Sequence, residues 1–121
     1  MRRLGRVDYA AGLELQTQLV EARRGTGIGD TLLLLEHPPV ITLGVKTRGK
    51  PANIIVSAET LAAEGVSVFE TGRGGDITYH GPGQLVGYPI MDLNGMGRDV
   101  HKYLRNLEET IIVSLRDFGI R

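Results

Sequence analysis

The sequence predicts a mixed α/β domain whose sheet is at least partly antiparallel. Three observations carry this. Apolar runs of strand length are interleaved with segments of helical periodicity. A Gly81-Pro82-Gly83 turn signal separates two strand-like stretches, Asp76 to His80 and Leu85 to Ile90. The best helical pattern in the chain lies near its end. With 121 residues, 41% of them hydrophobic, the chain has the size and apolar content for one domain with one core.

Taken in order, Asp8 suits an N-cap, and Tyr9, Leu13, Leu15, Leu19 and Val20 form a broad apolar stripe that predicts a helix to about Arg24. Arg23 and Arg24 favour its C-terminal end, and Gly25-Thr26-Gly27-Ile28-Gly29 cannot continue it. That glycine run lacks the Gly-Lys-Ser/Thr ending of a phosphate loop, so it reads as a flexible connection. Thr31 to Leu35 is a buried strand by length and composition, and Val40 to Leu43 a second, with a rigid Glu36-His37-Pro38-Pro39 bend between them. Gly44 to Pro51 is a polar, basic loop carrying Lys46, Arg48 and Lys50.

Ser57 caps a short helix over Ala58 to Glu64 that stops at Gly65, and Val66 to Phe69 is a further strand. The Gly72, Gly74 and Gly75 loop then lets a ligand approach the main chain closely. Alternation after it places Asp76, Thr78 and His80 on a polar face and Ile77 and Tyr79 on a core face, in the first strand of a β-hairpin with Leu85 to Ile90. Asp92 to Gly97 is a loop. Asp99 caps the last helix, in which Val100, Tyr103, Leu104, Leu107, Ile111, Leu115 and Phe118 share one side and Gly119 is the stop.

Fourteen basic and fourteen acidic residues balance, which argues against a nucleic-acid partner held by charge. No apolar run reaches membrane-spanning length and the basic start lacks a signal core, so a cytoplasmic protein without a membrane partner is expected. The absence of cysteine excludes a disulfide, a thiolate nucleophile and a cysteine metal site within these residues.

In the central stretch, Thr71 to Pro89, His80 is a general base, a metal ligand or a packed structural imidazole; the neighbouring Asp76, Thr78 and glycine loop favour a site. His37, His80 and His101 are far apart in sequence with no Glu-x-x-His pairing, so no metal site is expected. His101 reads as a surface residue, and His37 either rims a pocket or bonds the backbone of its own bend. Arg73 either swings toward an anionic or carbonyl oxygen or forms a salt bridge to Glu70 or Asp76. Tyr79 and Tyr88 read as core residues with a hydrogen-bonded hydroxyl.

Arg73-Gly74-Gly75, Thr78-Tyr79-His80, Gly83-Gln84 and Tyr88-Pro89, in this order and spacing, closely resemble the signature of the lipoyl(octanoyl) transferases. Leu35 to Gly44 and Arg98-Asp99-Val100-His101 resemble that family too, so the likeness runs through nearly the whole chain. It implies the α/β fold of biotin and lipoate protein ligases, and an octanoyl group moved from octanoyl-acyl carrier protein to a lysine of a lipoyl domain. The acceptors implied are 2-oxoacid dehydrogenases and the glycine cleavage H protein; no cofactor is implied.

The resemblance further implies that Arg73, Gly74, Gly75, Asp76, Ile77, Thr78, Tyr79 and His80 line the acyl site, with an apolar tunnel beneath for the alkyl chain. At about 0.8 kcal/mol per buried CH₂, such a tunnel suffices for chain-length preference. The family's cysteine nucleophile and its lysine have no counterpart here: there is no cysteine, and Lys46, Lys50 and Lys102 do not match the lysine's position. Residues 1–121 are therefore expected to be the N-terminal portion of one catalytic domain, incomplete at its C-terminus and inactive alone. Two alternatives remain: an ATP-dependent lipoate or biotin ligase of the same fold, and a non-catalytic module that holds an acyl chain or docks an acidic carrier through Lys46, Arg48 and Lys50.

Overall fold

A computed structural model describes residues 1–25, 27–47 and 54–120. They fall into two compact units, Met1–Ile90 and Met91–Arg121.

The first unit holds strands β1 (Arg2–Arg6), β2 (Thr31–Glu36), β3 (Val40–Leu43), β4 (Ser67–Glu70), β5 (Ile77–His80) and β6 (Val86–Ile90), with helices α1 (Tyr9–Arg24) and α2 (Ala58–Ala63). They build two three-stranded sheets, in the orders β1-β2-β6 and β4-β3-β5. Each sheet is mixed. β1 runs parallel to β2 and β4 parallel to β3, while β6 and β5 add antiparallel strands to the free edges of β2 and β3. Parallel neighbours need a crossover, and α1 and α2 lie in those connections.

The expected β5–β6 hairpin does not form. β5 pairs with β3, Leu43 opposite Ile77 and Val40 opposite His80, whereas β6 pairs with β2 from Thr31–Ile90 to Leu35–Val86. The reason is hydrogen-bond accounting. β2 and β3 are the apolar central strands, each with one edge already taken by a parallel neighbour, and a local hairpin would leave the other edge of both unsatisfied. The turn itself is as expected: Pro82 precedes Gly83 at φ +85°, and Gln84 N donates to Gly81 O at 3.1 Å. It hands the chain from one sheet to the other.

β1 was not legible in the sequence, since three of its five residues are arginine and only Leu4 turns toward the core. The core of the first sheet is Leu19 of α1, Leu33 of β2 and Ile90 of β6, with Leu4, Leu15, Val20, Ile28 and Tyr88 packed around them. Thr31, Leu33 and Leu35 all point to that side. α1 ends at Arg24 as the sequence predicts, although the Asp8 side chain makes no capping bond; only its carbonyl takes part, accepting the first helical bond from Gly12 N at 2.8 Å. Ser57 Oγ caps α2 by accepting from Thr60 N at 3.2 Å.

The second unit contains a 3-10 turn, Leu93–Met96, and helix α3, Val100–Arg116. Asp99 caps α3 by accepting from Lys102 N at 2.9 Å, and Gly119 at φ +75° follows its end.

Candidate functional site

The glycine loop after β4 is held from below by the end of β3. Thr71 donates to Leu43 O through both N, at 2.8 Å, and Oγ1, at 3.0 Å. The 3-10 turn Val45–Thr47 and Gly44 before it then take up the loop's carbonyls: Gly44 N donates to Asp76 O at 2.6 Å, Val45 N to Arg73 O at 3.0 Å and Lys46 N to Gly75 O at 3.2 Å. This approach requires a glycine at 44, because a Cβ there would overlap the Gly75 carbonyl oxygen and stand 2.9 Å from its carbon. With the carbonyls occupied, the N–H groups of Gly72, Arg73, Gly74 and Gly75 donate to no described residue.

Arg73 does not swing free, and among the described residues neutral oxygens, not a carboxylate, hold it. Its Nε donates to Thr42 Oγ1 at 3.1 Å, Nη2 to the same hydroxyl at 2.8 Å and to Thr42 O at 2.6 Å, and Nη1 to Gly74 O at 2.9 Å. A fourth oxygen, Asp76 O, lies 3.3 Å from Nη2. Thr42 is fully buried and donates its own hydroxyl proton to Thr78 O at 3.2 Å. The guanidinium is thus a fixed positive charge within the same loop as the open N–H groups. Such an arrangement can hold an oxygen that carries full or partial negative charge.

Beside the loop, five rings from five elements or bends meet. Tyr9 stacks on His80 with centroids 6.3 Å apart and 15° between planes, and it meets His37 at 5.1 Å and Phe69 at 5.4 Å. His37 lies 5.9 Å from both His80 and Tyr88. His37 is fully buried, and Gly12 lets α1 come close to it, a Cβ there standing 3.1 Å from Cε1. Its Nδ1 is 2.7 Å from Val7 O, which only accepts, so Nδ1 carries the proton. Nε2 then accepts from the Tyr88 hydroxyl at 2.8 Å.

Burial pushes the Tyr88 phenol up to about 12, aided by the nearby Tyr9 and opposed by a hydrogen bond from Gln16. Burial raises Tyr9 too, with the Arg73 charge pulling the other way.

The catalytic-domain model of the lipoyl protein ligase A/B family matches residues 8–121. The chain belongs to that family. It is 54% identical to an octanoyltransferase of Acidobacterium capsulatum over 98% of this chain and 50% of that protein. It is 53% identical to one of Solibacter usitatus over 99% of this chain and 54% of that protein. The chain spans about half the length of the curated relatives it matches. The crystal structure of P. falciparum LipL1 in complex with lipoate superposes with a TM-score of 0.47 at 19% identity, covering 71% of this chain and 29% of that one.

In this lipoyl protein ligase A/B family chain, Arg73 to Asp76 lie in the glycine loop and Ile77 to His80 form β5. The expected division of its sides holds in part: Asp76 and Thr78 are exposed and Ile77 half-buried, but His80 and Tyr79 are exchanged. Directly opposed residues of an antiparallel pair share a face, so His80 lies on the side where Val40 and Thr42 are buried. Tyr79, expected in the core, is 52% exposed, and its ring folds over Gly81, where a Cβ would clash with it. His80 Nδ1 lies 2.5 Å from Gln84 Oε1.

Three participants escaped the sequence reading: Thr42, Gly44 and Tyr9. Nothing local marks a strand threonine as an arginine acceptor thirty-one residues away. His37 is neither a pocket rim nor bound to its own bend; it reaches Val7 and Tyr88. Tyr88 does have the hydrogen-bonded hydroxyl expected of it. His101 lies in the first turn of α3 and is exposed, as expected. Lys46 sits in the turn below the loop, whereas Arg48 and Lys50 lie outside the described residues. Among the described residues no three His, Asp or Glu side chains gather to hold a metal, and no helix is long and apolar enough to cross a membrane. A cavity of about 370 Å³ beside the rings, walled by Tyr9, Pro38, Pro39, Val40 and Phe69, is open to solvent and not a closed tunnel.

Proposed function

We propose that this chain contributes the acyl-binding wall of an octanoyltransferase, which moves an octanoyl group from octanoyl-acyl carrier protein to a lysine of a lipoyl domain. The observation that carries the reading is the Gly72–Gly75 loop, whose N–H groups donate to no described residue while its Arg73 guanidinium is clamped on Thr42. Arg73, Gly74, Gly75, Asp76, Ile77, Thr78, Tyr79 and His80 are the proposed substrate-binding residues. The N–H groups of Gly74 and Gly75 take the polar carbonyl end of the acyl group, and the alkyl tail runs along apolar surface beside them.

The relatives at 53–54% identity bear the name octanoyltransferase, which supports the acyl group and the reaction. A family match running from residue 8 to 121 supports treating both compact units as parts of one catalytic domain. Lipoyl domains of 2-oxoacid dehydrogenases and the glycine cleavage H protein are the proposed acceptors, and the cytoplasm the proposed location. With no cysteine among the 121 residues, a covalent thioester step needs a thiol from outside them.

The test is mass spectrometry of a lipoyl domain incubated with octanoyl-acyl carrier protein. The natural full-length protein should add one octanoyl group, and residues 1–121 alone should add none. No transfer by the full-length protein sinks the reading, and turnover by residues 1–121 sinks its cysteine-dependent form. Titration calorimetry with ATP separates the ligase alternative, which requires heat of binding.

A further inference from the structure

The two buried or half-buried imidazoles of the ring cluster differ in one respect: what has been done with their second nitrogen. In His37 both are engaged, Nδ1 by Val7 O at 2.7 Å and Nε2 by the Tyr88 hydroxyl at 2.8 Å. In His80 only Nδ1 has a partner among the described residues, Gln84 Oε1 at 2.5 Å.

Which end of the Gln84 amide faces His80 decides the tautomer, and a third group decides that end. The opposite end of the amide lies 3.5 Å from Tyr79 O. A carbonyl only accepts, so the NH₂ belongs there and the oxygen belongs toward His80. The oxygen in turn only accepts, so His80 Nδ1 carries the proton and Nε2 keeps its lone pair. The reverse amide would set two oxygens against each other at Tyr79 and give the opposite tautomer. Gln84 is itself pinned, because its N–H closes the Gly81–Gln84 turn at 3.1 Å and Gly83 N donates to Glu36 Oε2 at 2.9 Å. Stacking on Tyr9 fixes the ring plane.

We propose that Gln84 is a positioning residue: it locks His80 as the Nδ1–H tautomer and so presents Nε2 as a hydrogen-bond acceptor at the edge of the acyl site. The inference rests on the octanoyl-transfer reading only for what that lone pair serves. An acceptor there suits an N–H or S–H of the incoming substrate and disfavours a second carbonyl.

The experiment is long-range ¹H–¹⁵N correlation on ring-labelled histidine in the natural full-length protein, above the histidine titration. The wild type should show His80 protonated at Nδ1 and bare at Nε2. Gln84→Met should lose that signature and move His80 to the Nε2–H form that free imidazole prefers, while Gln84→Glu, which keeps an acceptor oxygen, should retain it. His37, held by Val7, should give unchanged signals throughout and so report an intact fold. A wild-type His80 protonated at Nε2 overturns the inference without any variant, and an unchanged His80 in folded Gln84→Met overturns the role of Gln84. The spectra need no turnover. Expected tautomers in a protein without octanoyl transfer would sink the functional reading alone, and the reverse tautomer in an active transferase would sink this inference alone.

Discussion

Thr42 and Arg73 are joined by three hydrogen bonds across thirty-one residues of sequence, and the threonine is fully buried. One hydroxyl, accepting from both Nε and Nη2, therefore sets the position of the loop's charge. A guanidinium with this many neutral acceptors needs no carboxylate to stay in place, so its charge is not neutralised by them.

Thr42→Val keeps the shape of the side chain but removes the acceptor of Arg73 and the donor to Thr78 O. We expect it to destabilise the protein by about 1.5–3 kcal/mol, the range for losing hydrogen bonds to a charged group. Thr42→Ser keeps the hydroxyl and should cost only about 0.8 kcal/mol for the lost methyl. Urea unfolding of the two variants checks the order, and equal stability would remove the clamp from the account.

Gly44→Ala tests the contact beneath the loop. Its Cβ would meet the Gly74 and Gly75 carbonyls, so the loop must rise or the turn must move, at about 1–3 kcal/mol for an overpacked contact. Gly29→Ala, outside the loop, is the control, since nothing lies within 4 Å of a Cβ there. Calorimetric octanoate binding should fall sharply in the first variant and stay near wild type in the second.

Tyr88 gives a pH signature. Its phenol ionises at about 12 in the folded protein against 10.0 for the ordinary group, so between those values the unfolded chain loses a proton that the folded one retains. The stability it contributes is complete below pH 10 and is lost as pH rises through about 12. Unfolding midpoints measured from pH 9 upward should fall less steeply in Tyr88→Phe than in wild type. Parallel curves would mean that the hydroxyl is not held as described.

The helices and the apolar strands were legible because their signals are local. Ser57 and Asp99 cap α2 and α3 where their side chains suggest, and the apolar runs at Thr31 and Val40 became β2 and β3. Pairing was not legible. Gly81-Pro82-Gly83 announces a turn, but whether its flanks pair with each other depends on which edges of β2 and β3 remain open, and those edges are fixed by β1 and β4 far away in sequence. The polar row Asp76, Thr78 and His80 was found by its period of two, yet period alone cannot say which face is buried. The partners Val40 and Thr42 decide that. The strip Arg73 to His80 is proposed as a site from the family resemblance, while Thr42, Gly44 and Tyr9 entered only through tertiary contact.

Gly83 offers the sharpest separation of backbone from packing. It sits at φ +85° with nothing within 4 Å of a Cβ, so Gly83→Ala should cost about 1–2 kcal/mol through conformation alone. Gly83→Asn should cost less, because asparagine tolerates this region better. The same turn carries Gln84 to His80, so the Ala variant should also loosen the His80 tautomer in the histidine spectrum while leaving His37 unchanged. Equal stability of the Ala variant and wild type would mean that this residue does not hold a left-handed conformation in solution, and the path of the chain from β5 to β6 would have to be redrawn.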